Sequence, residues 1–364
     1  MNKTTNTIRM VERILASKSE VIKMGVDQHA RDVVVSVQED GSVPQRAQKM
    51  QAEGLVSVAK RLVEAGKKVH VCYESGPCGY WLYRKLVKEG VSVYVVVPKT
   101  MGGAKQQKTD GLDAQALCDA LDRYLRGNRK AFTVVRVPSE QEEQARTRGR
   151  LRDQLQKDRN AWSARGRSAA LLEGHHLKGV WWAPRCWEKT SKDLPAWLVN
   201  NLEQIRKILL AIDEQEKRLR EELEAAAPEQ LPKAVGALTW VLLTREVCSW
   251  GRFKNRRQVA GFTGLCPGVA QSGTTHRDGH INRCGNPRIR KMLIEMVWRL
   301  VRWQPDYKPV KKLVEGVVKG AARRKLAVAA ARRLAIDLWR LATGATTAQA
   351  LQLNVPALAF NPQG

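Results

Sequence analysis

The chain has 364 residues, of which 63 are Lys or Arg and 36 are Asp or Glu, giving a formal net charge of +27. An excess of this size repels itself unless a polyanion accompanies it, and nucleic acid is the natural partner, because each neutralised phosphate releases a counterion. No apolar run approaches the roughly 20 residues that span a bilayer, and the leading MNKTTNTIRMVERIL lacks the apolar core and cleavage site of a signal peptide, so a cytoplasmic protein without a membrane partner is expected.

The first third alternates strands and helices. Val21–Val26 is apolar and ends at Asp27; Val33–Val37 is β-branched; Val69–Tyr73 alternates and ends at Glu74; Val91–Val97 is the strongest strand and is closed by Pro98. Ser42–Lys49 carries little pattern and is the weak member of the set. Amphipathic stretches at Gln51–Ala65 and Tyr80–Glu89 predict helices, the second ending at Gly90, and a further helix is expected over Asp110–Leu125. Residues 1–137 therefore read as an α/β domain with a layered sheet.

Residues 138–227 differ, with charges of both signs in dense alternation. Leu202, Ile205, Leu209 and Ile212 follow helical spacing, continued by Leu219 and Leu223, which predicts two long helices as an antiparallel coiled-coil arm. A tryptophan-rich insert (Trp181, Trp182, Trp187, Trp197) interrupts them and is expected to pack the helix–helix corner rather than to stack on bases. Residues 228–364 read as mainly helical and basic. Between Arg245 and Arg302 there are twelve Lys/Arg and three Asp/Glu. LPKAVGALTWVLLTREV resembles a helix–hairpin–helix turn, which presents backbone N–H groups to phosphate. Asn286-Pro287 marks a helix start, GAARRKLAVAAARRLAIDLWRLATG is the last helix, and the final residues are expected to be partly ordered at best.

Two groups of residues carry chemistry. Asp27 and Glu74 each follow directly on an apolar strand, and Asp110 and Asp113 in KTDGLDA stand three apart at a helix start, hence on one helical face. Phosphodiester chemistry uses several hard oxygen ligands around one or two Mg2+ ions. A helix dipole alone also favours acids in a first turn, but four such acids in so basic a chain favour the metal reading. The second group surrounds Ser272 in AQSG, a pair that would by itself be an ordinary turn. The seven cysteines, an odd count with no CxxC pair, fit a reducing compartment. His276, His280 and Cys284 are spaced four apart, but they lack a fourth zinc ligand nearby.

The segments GVDQHA, YESGPCGYWLYRKLVKEGVSVYVVVP and KTDGLDAQALCDAL resemble the RuvC-like domain of the DEDD transposases of bacterial insertion sequences, a family described as bridge-RNA-guided recombinases. FKNRRQVAGFTGLCPGVAQSGTTHRDGHINRCGNPRIRKMLIEMVWRL resembles the second domain of the same enzymes. The resemblance implies a ribonuclease-H-like fold for residues 1–137 and a mainly α transposase domain for 228–364. It makes Asp27, Glu74, Asp110 and Asp113 an acidic tetrad for Mg2+ or Mn2+, and Ser272 the nucleophile, with Thr274 and Thr275 as near alternatives. It further implies double-stranded target and donor DNA, a guide RNA, a homo-oligomer (dimer or tetramer) and a place on the bacterial nucleoid. His276, Arg277 and Arg283 are candidates to assist the serine, and Arg277, Arg283, Arg288, Arg290 and Lys291 to contact phosphates. A hydrolytic RNase-H-type nuclease or junction resolvase, and an inactive transposase-derived binding protein, are the alternatives. The serine segment weighs against the first of these and the four intact acids against the second.

Overall fold

The computed structural model describes residues 3–97, 109–231, 233–272, 275–316 and 318–354. Thr274, the final residues 355–364 and the Lys108 that opens the KTDGLDA motif lie outside the described residues. The chain divides into two compact units, with the break between Val137 and Pro138.

The first unit is a mixed α/β layer structure. Its elements are α1 (Lys3–Ala16), β1 (Val21–Gln28), β2 (Asp32–Glu39), β3 (Gln48–Gln51), α2 (Ala52–Glu64), β4 (Lys68–Glu74), α3 (Trp81–Lys88), β5 (Ser92–Val96) and α4 (Asp110–Leu125). The sheet order is β3-β2-β1-β4-β5, with β2 antiparallel to both β1 and β3, and β4 parallel to both β1 and β5. The weak third strand thus forms at Gln48–Gln51, at the far end of the patternless Ser42–Lys49 stretch, where it pairs with β2 along one edge. Helix α1 adds to the elements expected from the sequence: Met10, Val11 and Ile14 repeat at helical spacing and are buried in the core.

Side chains alternate across a strand, and here the alternation sorts structure from chemistry. Ile22, Met24 and Val26 of β1, with Val71 and Tyr73 of β4, enter the core shared with α1, α2 and α3. The intervening residues, Lys23, Gly25 and Asp27 on β1 and Cys72 and Glu74 on β4, therefore face the other way. Cys72 joins Ala120 and Leu121 of α4 in a second, smaller cluster, so α4 covers the face of the sheet to which both strand-end acids belong.

Two contacts set α4 on β1. A Cβ added at Gly25 would lie 2.1 Å from the Ala114 carbonyl oxygen and 2.3 Å from the Cys118 nitrogen, so only glycine allows the helix backbone this close. Four residues beyond Cys118, Asp122 accepts a 2.5 Å hydrogen bond from Lys23 Nζ, and both side chains are buried. Thr109 caps the helix, its side chain accepting from Leu112 N at 3.4 Å.

The second unit comprises α5 (Glu140–Leu171), α6 (Pro184–Thr190), α7 (Ala196–Ala225), α8 (Ala237–Val247), α9 (Arg256–Thr263), β6 (Pro267–Ser272), β7 (Thr275–Ile281), α10 (Pro287–Trp303), α11 (Lys311–Val314), α12 (Gly320–Ala342) and α13 (Ala348–Leu351). A capping box starts α5: Ser139 Oγ accepts from Glu142 N at 3.1 Å, and Glu142 Oε2 accepts from Ser139 N at 2.8 Å. Ion pairs Arg148–Glu222 and Arg159–Asp213 show that α5 and α7 run antiparallel. Leu198, Leu202, Leu209, Leu219 and Leu223 of α7 are buried, so much of the apolar stripe read from the sequence is covered within the chain. Trp181, Trp182 and Trp187 form the buried corner cluster with Leu198 and Leu202, whereas Trp197 is exposed.

The remaining helices pack a separate core around α8, α10 and α12. Asn286 caps α10, its side chain accepting from Arg288 N and Ile289 N at 2.9 and 3.3 Å. One departure from the mainly helical expectation is that β6 and β7 form an antiparallel hairpin through the serine segment. Short glycine-rich stretches such as PGVAQSG carry too little strand periodicity to announce a two-stranded ribbon. All seven cysteines are free, and among the described residues no helix is long and apolar enough to cross a membrane.

Candidate metal centre and nucleic-acid interface

Asp27 lies near the carboxyl end of β1 and Glu74 ends β4, the parallel neighbour in which Val26 pairs with Tyr73. Both acids share the face covered by α4, whose first turn carries Asp110 and Asp113. The structure brings Asp27 and Asp110 together through a residue that sequence reasoning passed over, His29. Its Nε2 is 3.2 Å from Asp27 Oδ2 and 3.3 Å from Asp110 Oδ2. The signal was present in GVDQHA, since a side chain two residues beyond a strand-end acid falls on the same face.

The electrostatics are those of crowded carboxylates. Burial raises the Asp27 carboxyl above its ordinary value; His29 opposes this, while the negative charges of Asp110 and Asp113 add to it. A cation placed among these groups relieves both the desolvation and the repulsion. The site is open to solvent, with the Asp110 side chain 63% and the His29 side chain 45% exposed. The donor set of carboxylate oxygens and one imidazole fits a divalent ion. Among the described residues, Asp27, His29 and Asp110 form the group whose ligand atoms lie within 4.8 Å of one another. Asp113 is felt at Asp27 as charge, and Glu74 stands exposed at the end of the adjacent strand.

In the second unit Ser272 is the last residue of β6 and pairs with Thr275, while Gln271 pairs with His276 and Ala270 with Arg277. The hairpin returns to the end of α9, where Gly285 packs so closely on Phe262–Gly264 that an added Cβ would lie 2.3 Å from Gly264 N. Of the five sequence-predicted phosphate contacts, the Arg277 side chain lies outside the described ones, and the other four divide into two sets. Arg288 Nε is held by Asp153 Oδ2 at 2.6 Å, and Arg290 Nη1 donates to the carbonyls of Thr263 (3.2 Å) and Arg283 (3.4 Å), so both brace the unit. Lys291 is loosely paired with Glu295 at 3.9 Å, its side chain 73% exposed, and Arg283 sits at a positive φ of 57° in the loop after β7.

Beside α10, Glu246 of α8 is buried and ties three helices together. It accepts from Arg150 (3.2 and 3.3 Å) and from Asn286 Nδ2 (2.8 Å), with Arg146 at 3.4 Å. Burial alone would raise this carboxyl, but the hydrogen bonds from Arg150 and Asn286 outweigh it and hold it below its ordinary value.

The chain is similar to known transposases along both units. The DEDD-type IS110 transposase family model matches residues 24–176, which contain all four acids and His29. The model described as transposase IS116/IS110/IS902 family matches residues 232–311, which contain Ser272. A Sinorhizobium fredii protein named "Putative transposase y4rJ" is 28% identical over 324 residues, covering 79% of this chain and 80% of the relative. The transposase for insertion sequence element IS1111A of Coxiella burnetii is 26% identical over 285 residues, covering 74% of this chain and 76% of the relative. The class is that of DNA transposases, enzymes that bind and recombine DNA. Within it, the chain belongs to the IS110-type transposases of insertion sequences.

Proposed function

We propose that this transposase cuts and rejoins DNA strands at a site in which Asp27, Glu74, Asp110 and Asp113 hold Mg2+ or Mn2+ and Ser272 is the nucleophile. A structured guide RNA selects the target and donor duplexes. The observation that carries the reading is the convergence of Asp27 and Asp110 on one imidazole nitrogen at the mouth of the β1–β4 face. The sheet order, with an antiparallel three-strand meander extended by two parallel strands, supports a ribonuclease-H-like, RuvC-type catalytic domain over 1–137. Residues 138–227 serve as a helical linker, and 228–364 as the serine-bearing domain.

The divalent ion, when bound, would activate the attacking oxygen and stabilise the leaving one. The chain's own groups do the rest. Ser272 Oγ bonds to phosphorus as the bridging P–O bond breaks, storing the bond as a phosphoserine for rejoining. Arg277 and Arg283 favour the phosphate and the developing charge, and Lys291 anchors the strand. Acids and serine come from different units, so a dimer or tetramer can complete one subunit's site with the other's residues. The net charge of +27 suits a protein that holds RNA and DNA together on the nucleoid.

The test is a stalled reaction read on a denaturing gel and by mass spectrometry. The expected product is a DNA–peptide adduct on Ser272, absent from Ser272→Ala and from Asp110→Ala. Full cleavage by Ser272→Ala with no adduct would make the hydrolytic nuclease the better description. Sequencing of RNA that co-purifies from cells tests the guide; purification free of any discrete RNA would remove it.

A further inference from the structure

The four-acid assignment makes no use of His29. Its Nε2 faces Asp27 Oδ2 at 3.2 Å and Asp110 Oδ2 at 3.3 Å, so one nitrogen addresses two carboxylates from separate elements. Adjacent ligands of an octahedral ion with bonds of about 2.1 Å stand roughly 3.0 Å apart. His29 thus already stands at the spacing of a neighbouring ligand from each carboxylate, and the three ligand atoms all lie within 4.8 Å of one another. An imidazole that served only as a counter-charge could lie against either acid alone.

We infer that His29 is a ligand of this centre, a nitrogen donor beside the carboxylates, and that it tilts the site from Mg2+ toward transition-metal ions such as Mn2+. The inference rests on the carboxylate metal site proposed above. Mg2+ takes oxygen donors almost exclusively, whereas imidazole favours first-row transition ions over it. His29 follows the end of β1 directly, so the strand that positions Asp27 positions the nitrogen as well. The half-exposed setting of the ring leaves the remaining coordination positions of an ion to water or substrate oxygens.

The experiment titrates Mn2+ into the full chain, following the free ion by electron paramagnetic resonance. Pulsed measurements then seek 14N modulation from a coordinated imidazole. The chain has six histidines, so assignment by substitution is direct. Expected is one Mn2+ site, abolished by Asp27→Asn, that shows nitrogen modulation. His29→Gln should keep the site but lose the modulation, with Mn2+ binding weakened about tenfold or more and Mg2+ binding, measured by competition, changed less than about threefold. His29→Ala provides a second variant, with folding checked by circular dichroism.

An Asp27-dependent Mn2+ site without nitrogen modulation, or modulation that survives His29→Gln, overturns the inference and leaves the carboxylate centre standing. Equal losses of Mn2+ and Mg2+ affinity overturn the preference. Mn2+ binding indifferent to Asp27→Asn, or absent altogether, overturns the carboxylate centre and the role of His29 with it.

Discussion

Replacing Gly25 with alanine tests the positioning of the acids without touching them. The new methyl would lie 2.1 Å from the Ala114 carbonyl oxygen, 2.3 Å from the Cys118 nitrogen and 2.9 Å from the Cys118 Cα. Those partners are helix backbone and cannot rotate away, so α4 and β1 must separate by about 1 Å or more to restore ordinary contact. Overpacking of this kind costs about 2–3 kcal/mol, which for a unit of this size lowers the melting temperature by roughly 5–12 °C. The same displacement carries Asp110 away from Asp27 and His29, and a misplacement of about 1 Å costs on the order of 100-fold in rate. Calorimetry on the full chain reads the first effect, and Mn2+ titration with strand-cleavage kinetics reads the second. A Gly25→Ala protein with unchanged melting, metal affinity and cleavage would refute the idea that α4 is seated by this contact.

Asp122→Asn leaves Lys23 buried without its counter-charge and should cost about 3 kcal/mol or more, while a joint Lys23→Met, Asp122→Leu replacement should be far milder; denaturant unfolding of the three proteins checks the order. Glu246 is held below its ordinary value near 4.5, so its stabilising share is complete above that pH and is lost as pH falls through the lower folded value. Glu246→Gln should therefore be less stable than the parent at pH 7, with the gap narrowing in acid, and urea titrations at several pH values would show a constant gap if the carboxylate were irrelevant. Arg283→Ala and Lys291→Ala should each reduce the log–log salt slope of duplex binding by about 0.9 at nearly unchanged stability. Arg288→Ala should also lower the melting temperature, because Arg288 is bonded to Asp153, and a purely electrostatic phenotype there would contradict the bracing role.

Much of the first unit was legible because its strands are nearly continuous apolar runs and its acids stand where those runs stop. Helix α4 begins at Asp110 and ends at Leu125, the limits expected from the sequence. What escaped the sequence was relational. The pairing of Lys23 with Asp122, and of Gly25 with the backbone at Ala114 and Cys118, are contacts between distant segments that no local period encodes. His29 escaped because a histidine beside an aspartate has no chemistry of its own until a second carboxylate arrives from another element. The β6–β7 hairpin escaped because its pattern is set by glycines and polar residues, and the bracing of Arg288 and Arg290 because a basic stretch looks uniformly available for phosphate.

The seating of α4 also has a mechanical consequence. Asp110 precedes Ala114 by four residues and Cys118 by eight, which places it about 6 and 12 Å along the axis from the two points where the helix backbone meets Gly25. The helix is therefore a lever with its fulcrum on β1 and an acid at its short end, and a tilt of about 5° at that fulcrum swings the carboxylate by roughly 0.5–1 Å. The buried Lys23–Asp122 pair pins the opposite arm. A single residue inserted into α4 between Asp113 and Ala114 would turn the first turn by about 100° relative to the fulcrum and carry both acids off their face together, whereas an insertion ahead of Thr109 would leave their aim intact.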